Sequence, residues 1–582
     1  MRPALALVAL LAAPFLAGCV EAEGRPAAPV PLAAGAVPAD SFLAAYAGFE
    51  APPPAPEAEA GAWADSVLAT LTLEERVAQM FVVELGGVRD PDGLARLGVG
   101  GFHVDRRTPP RELLAATNRL QRAAPLPLLV AADLEWGAGT ESSSLTSLPA
   151  AMAYGAAGRA DLAEAGGAVT ATEARAMGVN VVWGPVADVN NNPLNPIINT
   201  RSFGEDPGAV GRLAAAFVRG LQGNGVLAAL KHFPGHGNTD TDTHIDFASV
   251  PGDWRQLWDV ELAPYRVALR ERPAFVMSTH LWARALDGAP TPATFSRRAL
   301  TDVLRDSLGF EGLVTTDALN MGALRKHYTE AERVVRPVQA GADVVLFPPN
   351  PRAGIRAVVA AVERGEIARD RIDASARRVL LAKARLGLHR ERLADRDRLD
   401  RMLAEVRGAG FASALSRASV TVARDGGMPL RGRVALVQTA GFDASGPMAR
   451  LERDLGPASA VRVTRRGGGA DRAVRAAERA DVAVVALHLD VMRGRRELTR
   501  AQQAAVEAVA ATGTPVVLVA LGSPYAAAAL PEATGVVVAY DRTLRTASAV
   551  ADVLEGRQRA TGRLPVTVPG LAAGPAVGAA LR

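Results

Sequence analysis

Between Lys231 and Phe247 the chain reads Lys-His-Phe-Pro-Gly-His-Gly-Asn-Thr-Asp-Thr-Asp-Thr-His-Ile-Asp-Phe. Three of its eight histidines (His232, His236 and His244) fall there among Asp240, Asp242 and Asp246. Such a density of titratable groups suits catalysis or metal binding, and a solvated loop is the plain alternative. The metal reading is the weaker of the two chemistries. The closest spacings, His232-x3-His236 and Asp242-x-His244, lie around Pro234, Gly235 and Gly237. No helix can therefore present ligands at i and i+4. No metal and no cofactor is assigned.

The elements that would position these residues follow from the apolar pattern. The run Gly225-Val-Leu-Ala-Ala-Leu230 reads as a buried strand delivering the charged loop to a surface. Folded structure is expected from Trp63. Thr72-Leu-Glu-Glu75 is a capping box opening a helix with Val77, Met80 and Phe81 on its apolar face. Apolar strand-like runs then alternate with amphipathic helical stretches: 99–104, 127–133, 179–186, 226–232, 274–280, 312–317 and 342–347. This alternation predicts a parallel sheet, and its length favours a (β/α)8 TIM-type barrel over residues 61–395. Asp133, Glu135, Asp188, Lys231, His232, His280 and Asp317 all close such runs. In a barrel of this type the C-terminal strand ends build the active site, so residues far apart in sequence converge on one pocket.

Bulk composition sets the frame. The 582 residues, 49% hydrophobic and 22% charged, fit a globular protein of more than one domain. A formal charge of +4 without any block of like charge gives no case for nucleic acid. Arg2, the apolar run Ala4 to Leu16 and the ending Leu16-Ala17-Gly18-Cys19 read as an export signal of bacterial lipoprotein type over residues 1–19. Cys19, the one cysteine, is the expected lipidation site. That reading places the protein in the cell envelope, held to the membrane by an N-terminal lipid, with no disulfide. Residues 20–60, rich in Ala and Pro, are expected to form a tether. No later segment has the roughly 18 uncharged apolar residues of a membrane span.

The loop Lys231–Gly237 with Asp242-Thr-His244 resembles the signature of glycoside hydrolase family 3, and more narrowly its β-N-acetylglucosaminidase branch. Leu73–Met80, Gly178–Val189, Arg201–Pro207 and Gly309–Met321 are similar to other stretches of that family in the same order. Retaining glycosidases need a carboxylate nucleophile and a group that protonates the leaving oxygen and then deprotonates water. Asp317, ending Val-Thr-Thr-Asp, is the expected nucleophile, with a helix N-cap as its alternative role. The resemblance gives the acid/base role to His244, oriented by Asp242. An imidazole of unperturbed pKa about 6.5 moves protons near neutrality without burial tuning. A histidine acid/base also repels an anionic acceptor less than a carboxylate would, so phosphate could compete with water.

The resemblance further implies sugar contacts from Asp133, Arg201, Lys231 and His232. Lys231 is expected near Asp317, keeping it ionised. His236 is left to the loop's architecture. One departure stands out. The family shows Asp-x-Glu-Gly-Gly and then an arginine, whereas here Glu135 precedes Trp136-Gly-Ala-Gly-Thr-Glu141, with no arginine before Arg159.

Residues 396–582 read as a smaller α/β sandwich with a parallel sheet, its strands at 434–437, 482–486, 516–521 and 536–539. Gly467-Gly-Gly469 reads as a turn. The expected activity is release of terminal N-acetylglucosamine from peptidoglycan fragments or chito-oligosaccharides, through a covalent glycosyl-aspartate. The alternatives are a β-glucosidase or β-xylosidase using Glu497 as acid/base, and a catalytically silent glycan-binding lipoprotein.

Overall fold

A computed structural model describes residues 39–104, 108–140, 144–405, 409–440, 445–489 and 498–571. Cys19, the signal segment, residues 20–38 of the expected tether, Glu141 and Glu497 lie outside the described residues.

Eight parallel strands form the first sheet: β1 (Phe81–Glu84), β2 (Gly101–His103), β3 (Leu129–Ala132), β4 (Val181–Val182), β5 (Leu227–Phe233), β6 (Phe275–Ser278), β7 (Leu313–Thr315) and β8 (Val345–Leu346). β8 pairs with β1. A parallel bridge between Thr315 and Val344, with Thr316 N donating to Val344 O at 3.0 Å, joins β7 to β8 and brings the barrel to near closure. Inward residues alternate along the strands as the two-residue period requires. Val82, Leu129, Ala131, Val181, Trp183, Ala229, Phe275, Met277 and Leu313 fill the interior with Val379 and Ala382 of the helix Arg369–Arg385.

Two sequence expectations change here. The capping box at Thr72 is present, but its helix ends at Gln79. Phe81, expected on that helix, instead opens β1, because a short all-apolar segment fits a strand buried on both sides as well as a helix. Residues 39–60, expected within the tether, are folded. Tyr46 and Phe49 are buried in the barrel's helical layer, and the helix Glu57–Thr70 packs on Arg369–Arg385. Tyr46 Oη donates to buried Glu173 at 2.7 Å, and Arg385 reaches Glu57. Proline and alanine richness hid two aromatic anchors.

The second domain holds six strands: β9 (Thr421–Asp425), β10 (Val434–Ala440), β11 (Ser459–Val463), β12 (Val482–Leu489), β13 (Val516–Gly522) and β14 (Gly535–Ala539). The order is β9-β14-β13-β12-β10-β11, parallel throughout except for β9, which runs antiparallel to β14. The sheet is therefore mixed rather than purely parallel, with the odd strand at an edge. Met152, Ala153 and Ala156 of the barrel helix Ala151–Ala157 share a core with Val485, Leu487, Val536 and Val566, which welds the domains together. Glu205 accepts from Thr567 N at 2.7 Å and Thr567 Oγ1 at 2.6 Å. No helix of the described residues is long and apolar enough to cross a membrane.

Candidate active site

The polar strand ends converge at one mouth of the barrel. Asp133 and Glu135 follow β3, Asp188 follows β4, Lys231 and His232 lie near the C-terminal end of β5, and His280 and Asp317 stand two residues past β6 and β7 respectively.

At one side of the mouth the charges are buried and mutually bound. Arg201 grips Glu135 through two parallel bonds of 2.8 Å, from Nε to Oε2 and from Nη2 to Oε1. Lys231 Nζ lies 2.6 Å from Glu135 Oε1 and 2.9 Å from Asp133 Oδ1. Burial pushes the Glu135 carboxyl up, but the fields and bonds of Arg201 and Lys231 outweigh it and hold the group well below the carboxylate range. Burial likewise opposes the Lys231 ammonium, yet Asp133 and Glu135 raise its pKa above the ordinary value. Glu135 is thus the hub of this cluster. Its place at a strand end was visible in sequence, but its bridging of two cations was not.

Lys231 does not touch the expected nucleophile, so the anticipated role of keeping Asp317 ionised passes to other groups. Burial pushes the Asp317 carboxyl up, and the fields of His280, His232 and His244 then carry it below its usual value. Ala318 N donates to Asp317 Oδ1 at 2.7 Å. His280 is wholly buried, and burial lowers its pKa while the Asp317 carboxylate opposes that shift. Its Nε2–H donates to Ala318 O at 3.0 Å, fixing the peptide that follows Asp317. Sequence reading placed His280 at the site without giving it this task.

The three histidines of the 231–247 stretch part company. His232 Nδ1 donates to Asp188 Oδ2 at 2.7 Å, while its Nε2 stands 3.5 Å from Arg201 Nη2. His236 is sealed between Thr239 Oγ1 at 2.7 Å and Thr243 Oγ1 at 3.0 Å. Burial, with the like charge of His232, lowers its pKa to about 4, which fits an architectural role. Gly237 presses so closely on the chain after Asp188 that a Cβ there would stand 1.8 Å from Val189 O. His244 alone faces outward. Its Nδ1 lies 2.8 Å from Asp242 Oδ1, which also accepts the His244 backbone N–H at 2.9 Å. Burial raises the Asp242 carboxyl, but the bond to His244 and the field of that ring bring it below its ordinary value. An ionised carboxylate can only accept, so Nδ1 carries the proton and Nε2 is left for chemistry.

The second domain reaches this site. Asn190, two residues past Asp188, donates to Tyr525 Oη at 2.9 Å and accepts from Asn199 N at 2.9 Å, bracing the loop that carries Arg201.

The model of the glycosyl hydrolase family 3 N-terminal domain matches residues 72–382, and that of the family's C-terminal domain matches residues 320–575. The chain belongs to glycoside hydrolase family 3. Among its relatives, a protein of Cellulomonas fimi described as a beta-N-acetylglucosaminidase/beta-glucosidase is 35% identical over 343 residues, 56% of this chain and 60% of that protein. A beta-hexosaminidase A of Pseudoalteromonas piscicida is 33% identical over 278 residues, 44% of this chain and 46% of that protein. The chain thus spans about half of each of these two relatives. A family 3 β-N-acetylglucosaminidase structure from Paenibacillus sp. str. FPU-7 superposes with a TM-score of 0.75 at 29% identity, covering 86% of this chain and 100% of that one. A β-glucosidase structure from Listeria innocua shares the fold at 20% identity and a TM-score of 0.74, over 87% of this chain and 76% of that one.

Proposed function

We propose that this glycoside hydrolase is an exo-acting, retaining β-N-acetylglucosaminidase. The observation that carries the reading is the Asp242–His244 pair, held at 2.8 Å on an exposed arm whose field reaches the strand-end carboxylate of Asp317. In the first half-reaction the ionised Asp317 carboxylate attacks the anomeric carbon as the bond to the leaving oxygen breaks. The proton for that oxygen comes from His244 Nε2, and Asp242 stabilises the imidazolium beforehand by accepting from Nδ1–H. In the second half-reaction Nε2, now free, takes a proton from water. Water attacks the glycosyl ester and Asp317 departs as carboxylate, so two inversions give net retention. Asp133, Arg201, Lys231 and His232 line the sugar end. Peptidoglycan fragments or chito-oligosaccharides are the substrates proposed.

The test is turnover of aryl N-acetylglucosaminide and aryl glucoside by the wild type and by His244→Ala, Asp317→Ala and Glu497→Ala. Loss in Glu497→Ala with His244→Ala unaffected would sink the acid/base assignment. Failure of the wild type on both substrates would favour a silent glycan-binding protein. The description of the Cellulomonas fimi relative supports a second activity on glucosides, which the same assay measures. We also infer a lipid on Cys19. Cys19→Ser should move the protein from the membrane fraction to the soluble one, and an unchanged distribution would refute the anchor.

A further inference from the structure

The arm that presents His244 does not stand free. It lies along the segment that begins at the nucleophile. Gly322 N donates to His244 O at 3.1 Å and Ala323 N donates to Thr243 O at 3.1 Å. Two residues past His244, Asp246 Oδ2 accepts from Lys326 Nζ at 2.9 Å, and Asp246 Oδ1 lies 3.2 Å from His327 Nε2. The seam is close because Gly322 has no side chain: a Cβ there would stand 2.5 Å from both His244 O and Ile245 O. At its other end the same segment carries Ala318, whose carbonyl is held by His280 and whose N–H is bound by Asp317. One short stretch, residues 317–327, therefore carries the nucleophile and the landing surface of the acid/base arm.

We propose that Asp246 and Lys326, seconded by His327, are positioning residues: a latch that holds the arm so that His244 meets the leaving-group oxygen above Asp317. The proposal rests on His244 being the acid/base. Two backbone bonds and a side-chain clasp join residues 317–327 to an arm whose tip must bear on a departing oxygen. The clasp is about half exposed on both sides, so it is weak in isolation and sensitive to salt. Its worth lies in alignment, where small displacements are costly.

Alignment of an acid has a signature that loss of stability lacks. A nitrophenol or dinitrophenol leaves with little protonation, whereas a sugar leaves only with it. Asp246→Ala and Lys326→Ala should each lower kcat/KM on chitobiose by about 5- to 20-fold and on dinitrophenyl N-acetylglucosaminide by less than about 2-fold. KM should scarcely move, and thermal midpoints should stay near that of the wild type. The double variant should lose no more than either single one, and the exchange D246K/K326D should recover most of the chitobiose rate. Raising ionic strength should carry the wild type towards the variants. Equal losses on both substrates, additive losses, or variants indistinguishable from a fully active wild type would overturn the latch. Inactivity of the wild type on both N-acetylglucosaminides would instead refute the proposed function. Should only glucosides be turned over, the same comparison with cellobiose and dinitrophenyl glucoside decides the latch.

Discussion

The two halves of the candidate site are built on opposite principles. At the proposed sugar end, Lys231, Glu135 and Arg201 have side chains 3%, 9% and 10% exposed, and both cations pair with Glu135 in a chain of ion pairs. At the proposed leaving-group end, His244 is 58% exposed and rests on one buried carboxylate and a shallow seam. Recognition of a sugar gains from groups already desolvated and fixed before it arrives. Proton transfer to a varied leaving group needs a side chain that aglycone and water can both reach. Rigidity is thus placed where the ligand is constant, and accessibility where it changes.

The sharpest way to break this contrast is to remove the proposed nucleophile it serves. Asp317→Asn should lower kcat by about 10⁴-fold or more with the fold intact, as steady-state kinetics and circular dichroism would register. Next comes the exposed half. His244→Ala should cost about 10²- to 10⁴-fold in kcat/KM on sugar leaving groups, with no loss of thermal stability. The buried half should fail differently. Glu135→Gln leaves Arg201 and Lys231 buried without their shared anion. It should lower stability by about 3–5 kcal/mol in denaturant titration and raise KM, while His244→Ala does neither.

The smallest effect concerns the junction of the halves. Glu261 packs under Gly235, and burial, only partly offset by hydrogen bonding from its own backbone, Gln256 and Asn238, pushes its pKa up to about 7. A carboxyl with a raised folded pKa stays protonated where the unfolded chain ionises. Stability therefore falls as pH rises from about 4.5 to about 7 and levels off above that. Glu261→Gln should raise stability by about 1–3 kcal/mol at pH 8 and by almost nothing at pH 4, measured by urea unfolding at both values.

Much of this was legible in sequence because strand ends and site residues coincide. The runs closing at Asp133, Lys231 and Asp317 fixed both the barrel and its working face. β1 was lost because Phe81 follows a helix without a turn residue, and β11 because the run Ser459–Val463 alternates with an exposed arginine. Tertiary bookkeeping was hidden as well. Lys231 was expected near Asp317, yet its charge is spent on Asp133 and Glu135, partners nearly a hundred residues earlier. Tyr525, in the other domain, gives no sign in sequence that it steadies Asn190. Burial and pairing of this kind are properties of the assembled mouth, and no local pattern carries them.

The buried chain of ion pairs also bears on inhibitor design. Around the site Glu135, Asp133, Asp188 and Asp242 each hold a lysine, arginine or histidine of the protein, whereas Asp317 takes its hydrogen bond from a backbone N–H. On the proposed function, a sugar mimic with a positively charged ring nitrogen would therefore meet in Asp317 a carboxylate that pairs with no side-chain cation of the described residues. Moving that nitrogen towards Glu135 would set it against two resident cations, so the best-placed charge on such a compound is the one nearest the anomeric position.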